Sequence, residues 1–244
     1  MLLIAFSFLA ISFAAEDPQA IEAIHKDPWS YLGLPNPVTF LILASFISGL
    51  GIFLAIFLKN VSNQAKKIVF AMIAAPIALA TVYLGGSTVY LNFVSETGGP
   101  VHWHADYEIW ACGVKYELAD PTGWDNKVGS PTIHEHNDNR IHVEGVLLKK
   151  EEASLRNYFI QAGGNFDGTS LTIPTHDGVM TWSDGDKCDG KPAKWYVFVN
   201  GEAVENPQDY VISPYTLVPP GDTIKLVFTE MSPRLVDTSI GGPP

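Results

Sequence analysis

Cysteine is almost missing from this chain, with two in 244 residues. Two cysteines allow a single intramolecular bridge, so a disulfide-dense scaffold is excluded. Methionine is scarce too, four in all, and Met180 and Met231 stand isolated, which argues against a soft Cu⁺ carrier built on thioethers. No nucleophile elbow, phosphate loop or HExxH motif occurs, so the common hydrolytic and nucleotide-dependent reaction classes have no anchor. Bases are few, 15 against 26 acids. The 22 acids and 11 bases from Val89 onward carry the entire formal charge of −11. So acidic a surface argues against nucleic acid as a partner.

Charge itself is absent from two long runs. Residues 38–58 and 68–91 contain no ionisable acid or base, and each is long enough as a helix to cross a hydrocarbon layer of roughly 30 Å. Pro76 falls inside the second run, and Tyr83 and Tyr90 suit its interfacial end. The intervening residues 59–67 hold Lys59, Lys66 and Lys67 and no acid, which predicts a cytoplasmic loop by the positive-inside rule. Residues 1–15 form a third, shorter apolar stretch without a basic start, read as a signal peptide or short signal anchor. Residues 16–37 then form an outer interfacial segment, with His25, Lys26 and Trp29 at headgroup level. The expected location is the cytoplasmic membrane, with the lipid bilayer as partner and the C-terminal domain on the extracytoplasmic side. No motif names a protein partner.

Residues 101–233 are predicted to form one extracytoplasmic α+β domain, and residues 234–244, ending in GGPP, a flexible tail. The run VHWHADYEIW alternates with period two. Trp103, Ala105, Tyr107 and Ile109 fall on one face, the core face, and His102, His104, Asp106 and Glu108 on the other. Cys112-Gly113 reads as a turn into a returning strand, 114–118. In PTIHEHNDNRIHVEGVLL the same division sets Ile141 and Val143 against His142 and Glu144. A helix is predicted from Glu151, with Leu155, Tyr158, Phe159 and Ala162 as its apolar stripe and Gly163-Gly164 as its end. A strand at 170–173, a solvated acidic loop (SDGDKCDGK), a hairpin turning at Asn200-Gly201 and a strand at 223–228 after a Pro219-Pro220-Gly221-Asp222 turn complete the domain. Trp103, Trp110, Trp195 and Tyr196 are read as packing residues. The expected architecture is two transmembrane helices followed by a mixed, largely antiparallel sheet with one packing helix, β-grasp-like in element order. Cys112 and Cys188 both lie in the outer domain, where a disulfide is expected, with a free thiol or metal ligand as the other reading.

Five of the seven histidines fall into two clusters, His102/His104 and His134/His136/His142. Side chains at i and i+2 of a strand share a face with Cα atoms about 6.5–7 Å apart, so two imidazoles can converge on one ion. Imidazole beside carboxylate suits a divalent transition metal, Cu²⁺ or Zn²⁺ first, with Glu108, Glu144 and His176 as further candidate ligands. A polar, solvated strand face is the plainer explanation of the same residues.

His102-x-His104-x-x-x-Glu108 resembles the first metal motif of cupins, although no later G-x-x-H element follows. Over most of the outer domain, H-x-H, then H-x-H-[ND], I-H-[IV]-E, a helix and a closing V-N-G hairpin are similar to an uncharacterised family of membrane-anchored archaeal and bacterial proteins. That resemblance implies an extracytoplasmic domain and no particular activity. Three functions therefore compete: a metal-binding or delivery module, a cupin-like metal enzyme using Glu108 or Glu144, and a metal-free surface interaction domain.

Overall fold

The computed structural model describes residues 28–122, 124, 126–212 and 221–243. The expected signal segment, most of the interfacial segment with His25 and Lys26, and Pro219-Pro220 lie outside the described residues. The chain divides after Thr81 into two compact units.

In the first unit, one helical turn at Pro28–Tyr31 precedes α1, Pro37–Phe57. The α1 start is set by Asn36, whose side chain accepts from the Val38 N–H at 2.8 Å, and by Pro37 at the first helical position. Helix α2 spans Asn63–Val94, continues through Pro76 and runs past the division at Thr81, so its last residues belong to the second unit. It begins before the expected 68 because Ser62 Oγ accepts from Ala65 N and the following Gln64, Ala65, Lys66 and Lys67 are good helix formers. The interhelical loop is correspondingly shorter than 59–67. Phe46, Phe53, Ile56, Phe70 and Leu79 are all exposed, so apolar side chains point outward around both helices. Both are long and apolar enough to cross a membrane. Where they meet, Ser48 Oγ donates to the Ile73 carbonyl at 3.1 Å, and a Cβ on Gly51 would lie 2.8 Å from Ile73 Cγ1. Small residues permit that approach.

The second unit is α+β. The strands of its main sheet are β1 Pro100–Ala111, β2 Val114–Tyr116, β3 Val128–Gly129, β4 Ile133–Glu135, β5 Arg140–Val146, β11 Lys194–Val199, β12 Glu202–Ala203 and β13 Asp222–Thr229. They run in the order β12-β11-β13-β1-β5-β4-β3, with β2 also paired to β1. Among the described residues, only the central β1–β13 pair is parallel. The sheet is thus mixed and largely antiparallel. Asn200 and Gly201 both take left-handed φ, 53° and 85°, and turn β11 into β12 as their sequence predicts.

Helix α3, Leu155–Gln161, is capped by Ser154, whose Oγ accepts from Asn157 N. The acidic residues before it occupy a 3₁₀ turn, Lys150–Ala153, so the α-helix starts later than Glu151. Its Leu155, Tyr158 and Phe159 join Ala105, Tyr107, Ile109, Ile141 and Val143 in the core. A three-stranded sheet, β6 Asn165–Phe166, β7 Ser170–Thr175 and β8 Gly178–Ser183, adds Phe166, Leu171 and Ile173 to the same core. Strand β8 was not anticipated by the sequence. The expected acidic loop contains a small hairpin, β9 Lys187–Cys188 with β10 Lys191–Pro192. Asp184 and Asp186 accept backbone N–H bonds there from Trp195 and Ser183, as turn-forming acids do. Cys112 and Cys188 are disulfide-bonded, with Cα atoms 5.2 Å apart.

Residues 234–243 cover the segment expected as a flexible tail. They fold over the sheet face opposite α3, where Val236 packs with Phe198, Val227, Trp110 and Tyr196. Lys225 Nζ donates to the carbonyls of Asp237, Ser239 and Gly242 at 2.7, 2.7 and 2.8 Å. The Gly241 N–H donates to Glu108 Oε1 at 3.0 Å.

Candidate metal centre

Residues directly opposite in an antiparallel pair share a face. The β1–β5 register sets His102 against Glu144 and His104 against His142, and the β4–β5 register sets His134 against His142. Both clusters therefore occupy one side of the sheet, the side away from Ala105, Ile141 and Val143. His136 joins them just beyond β4. The imidazoles form a continuous patch, with ring centroids 4.7 Å apart for His102–His104, 4.5 Å for His104–His142, 5.0 Å for His136–His142 and 4.8 Å for His134–His136.

Within the patch, one ligand atom from each of His102, His104 and His142 lies within 4.8 Å of the other two. Three nitrogens so placed can take a common ion at the usual bond length of about 2.0–2.1 Å after small side-chain rotations. His102 Nε2 lies 2.9 Å from His104 Nε2 and 3.4 Å from Glu144 Oε1, so Glu144 borders the triad.

Several rings are held by their second nitrogen. His142 Nε2 faces Asp138 Oδ2 at 3.1 Å, His134 Nδ1 faces the Ser130 carbonyl at 3.0 Å, and His136 Nδ1 faces the Asn126 carbonyl at 2.6 Å. Because an oxygen there can only accept, each of those nitrogens carries the proton and the other presents a lone pair. Asn137 and Asn139 take left-handed φ, 63° and 54°, in the β4–β5 turn and place Asp138 beneath His142.

Burial pulls the His104 and His134 pKa values below the ordinary imidazole range; neighbouring His142 and His102 add to this at His104, and Lys127 at His134. Both are therefore held neutral, the form that ligates metal. Burial would raise Asp138, but the hydrogen bond from His142, with backbone N–H donors, outweighs it and holds the carboxyl below its usual value.

Gly129 explains why His134 is fully buried. It pairs opposite His134 with φ of 123°, and a Cβ there would stand 2.5 Å from the Ile133 carbonyl oxygen and 2.8 Å from His134 Cα. Only glycine lets β3 lie this close.

Two candidate residues are placed elsewhere. Glu108 is on the same face, but it is buried and engaged by Trp110 Nε1 at 3.1 Å, Gly241 N and Lys115 Nζ at 3.6 Å, contacts that tie the C-terminal segment to β1. His176 sits in the β7–β8 turn, exposed, 3.4 Å from Asp120 Oδ1, and is not brought to the patch. Conversely, sequence reasoning passed over Asp138 and Gly129; the Asp138-to-His142 spacing of four was the available signal for the first. No protein-family profile, curated protein or solved structure matches the chain.

Proposed function

We propose that this is a membrane-anchored metal-binding protein whose α+β domain takes a divalent transition metal, Cu²⁺ or Zn²⁺, at His102, His104 and His142. The observation that carries the reading is the mutual approach of three imidazole ligand atoms within 4.8 Å on one strand pair. Neutral His104 and the Asp138-oriented ring of His142 favour it further. Glu144, beside His102, is the nearest carboxylate to complete the coordination sphere.

In this reading α1 and α2 span the cytoplasmic membrane, and the lysines between them keep that loop inside, which leaves the metal domain outside. A disulfide joining Cys112 to Cys188 agrees with an oxidising compartment. The resemblance to membrane-anchored archaeal and bacterial proteins with paired H-x-H clusters points the same way. The position of α3 in the chain between the antiparallel strands β1 and β5 and the later strands, with β13 returning parallel beside β1, supports a β-grasp-like arrangement. With Glu108 committed to the tail, a cupin-like enzyme loses one of its two carboxylates, and binding is favoured over catalysis.

The test is metal uptake by the full-length protein purified in detergent, measured by elemental analysis and calorimetry at pH 7.5. Cu²⁺ or Zn²⁺ should be retained, and His102→Gln/His104→Gln should abolish the tight component. Absence of uptake by the unaltered chain would overturn the proposal.

A further inference from the structure

The triad leaves two of the five clustered histidines unused. Both have the same preparation: the proton is fixed on Nδ1 by a backbone carbonyl, Ser130 for His134 and Asn126 for His136. Their Nε2 atoms are therefore the lone-pair nitrogens. The His134 Nε2 is buried and has no hydrogen-bond partner among the described residues, on a side chain that is fully buried. A buried imidazole nitrogen without a partner forfeits hydration and gains nothing in return. A bound ion would satisfy it.

The ring geometry fits such an ion. Two imidazoles on one tetrahedral metal, each with a bond of about 2.0–2.1 Å, have their ring centroids about 5 Å apart. The His134 and His136 centroids are 4.8 Å apart, with ring planes at 81°. His142, itself a member of the triad, lies with its ring 5.0 Å from that of His136 and 5.7 Å from that of His134, so the pair borders the triad.

We infer that His134 and His136 form a second metal position, binding one further Cu²⁺ or Zn²⁺ through their Nε2 atoms beside the triad ion. This rests on the proposed metal function and extends it from one ion to two. With two protein nitrogens against three, the second position holds its ion more weakly and leaves more coordination sites open. A loosely held ion next to a tightly held one is an arrangement suited to metal exchange along the sheet face.

The experiment is a Cu²⁺ titration of the full chain in detergent at pH 7.5, followed by elemental analysis and by electron paramagnetic resonance. The expected result is two ions per chain, with magnetic coupling between them at the second equivalent. His136→Gln, at a half-buried position outside the strands, should lower the stoichiometry to one and remove the coupling while the triad signal stays. His134→Gln should do the same, and His102→Gln/His104→Gln should leave one weaker ion at the pair. One ion in the unaltered chain, unchanged in number and spectrum by His136→Gln, would overturn the second position and leave the triad intact. One ion lost altogether in His136→Gln would overturn it too, by showing a single shared site. No uptake at all would instead remove the metal function on which the inference rests.

Discussion

Asp138 accepts a hydrogen bond from His142 at 3.1 Å, across the four-residue step from the β4–β5 turn into β5. A carboxylate in that position fixes the ring's tautomer, raises its basicity as a ligand and leaves Nδ1 as its lone-pair nitrogen. Asp138→Asn keeps the volume and removes the charge. Metal affinity should fall by about tenfold to a hundredfold, with the stoichiometry and fold unchanged. Calorimetry and far-UV circular dichroism on the same preparations check this.

Adjacent residues on β4 give opposite pH responses. His134 has a depressed pKa, chiefly from burial, so below about 6.5 the unfolded chain takes up a proton that the folded chain refuses. Metal-free stability contributed by His134 is full above that pH and is lost as the pH falls through the folded value. Glu135 faces the core, where burial raises its pKa, and Tyr107 donates to its Oε2 at 3.3 Å. Here the folded chain keeps a proton that the unfolded chain releases, so stability falls as the pH climbs from about 4.5 through the raised folded value. In thermal melts of the metal-free protein, His134→Gln should flatten the loss below pH 6.5. Glu135→Gln should raise the melting temperature at pH 7.5 and leave it unchanged at pH 4. A rise of equal size at both pH values would contradict the assignment.

These two faces were legible in the sequence because a strand's period of two is local: Trp103, Ala105 and Tyr107 could be separated from His102, His104 and Asp106 without knowing any partner. Register was not legible. His104 meets His142 through a pairing across more than thirty residues, and nothing in either segment specifies which residue stands opposite which. Strand β8 escaped notice because GVMTWS is nowhere fully buried and so lacks a clean apolar alternation. The contacts of the C-terminal segment were not legible because its glycines and prolines mark only an irregular backbone, whereas its partners, Lys225 and Glu108, are remote in sequence. The α3 start shifted because the Ser154 cap prevailed over the acidic pair before it.

Gly129 offers a test of the β3 contact. Alanine there would need a left-handed backbone and would press its Cβ on the Ile133 carbonyl, an atom that cannot rotate away. The expected cost is about 2 kcal/mol, seen in denaturant unfolding. Metal binding at His134 should weaken further than at His102 and His104, because β3 covers the former and does not pair with β1. Equal loss at both positions would argue for a global effect of the substitution instead.

Lys225 anchors the C-terminal segment. Its side chain is 1% exposed, and its ammonium meets three tail carbonyls with Glu108 opposite it on β1. Burial lowers its pKa, while Glu108 and Asp237 oppose that shift, so the charge is held in place by the groups it organises. Methionine matches the length of the stem but donates nothing. Lys225→Met should therefore strip the tail of its anchor, leave Glu108 without its facing cation and destabilise the domain by about 2–3 kcal/mol. Hydrogen exchange and limited proteolysis should show residues 234–243 opening well before the core strands. Truncation after Leu235 should produce a similar destabilisation, and combining it with Lys225→Met should add less than the sum, because both changes remove the same contacts. Full additivity would mean that Lys225 stabilises the sheet independently of the tail.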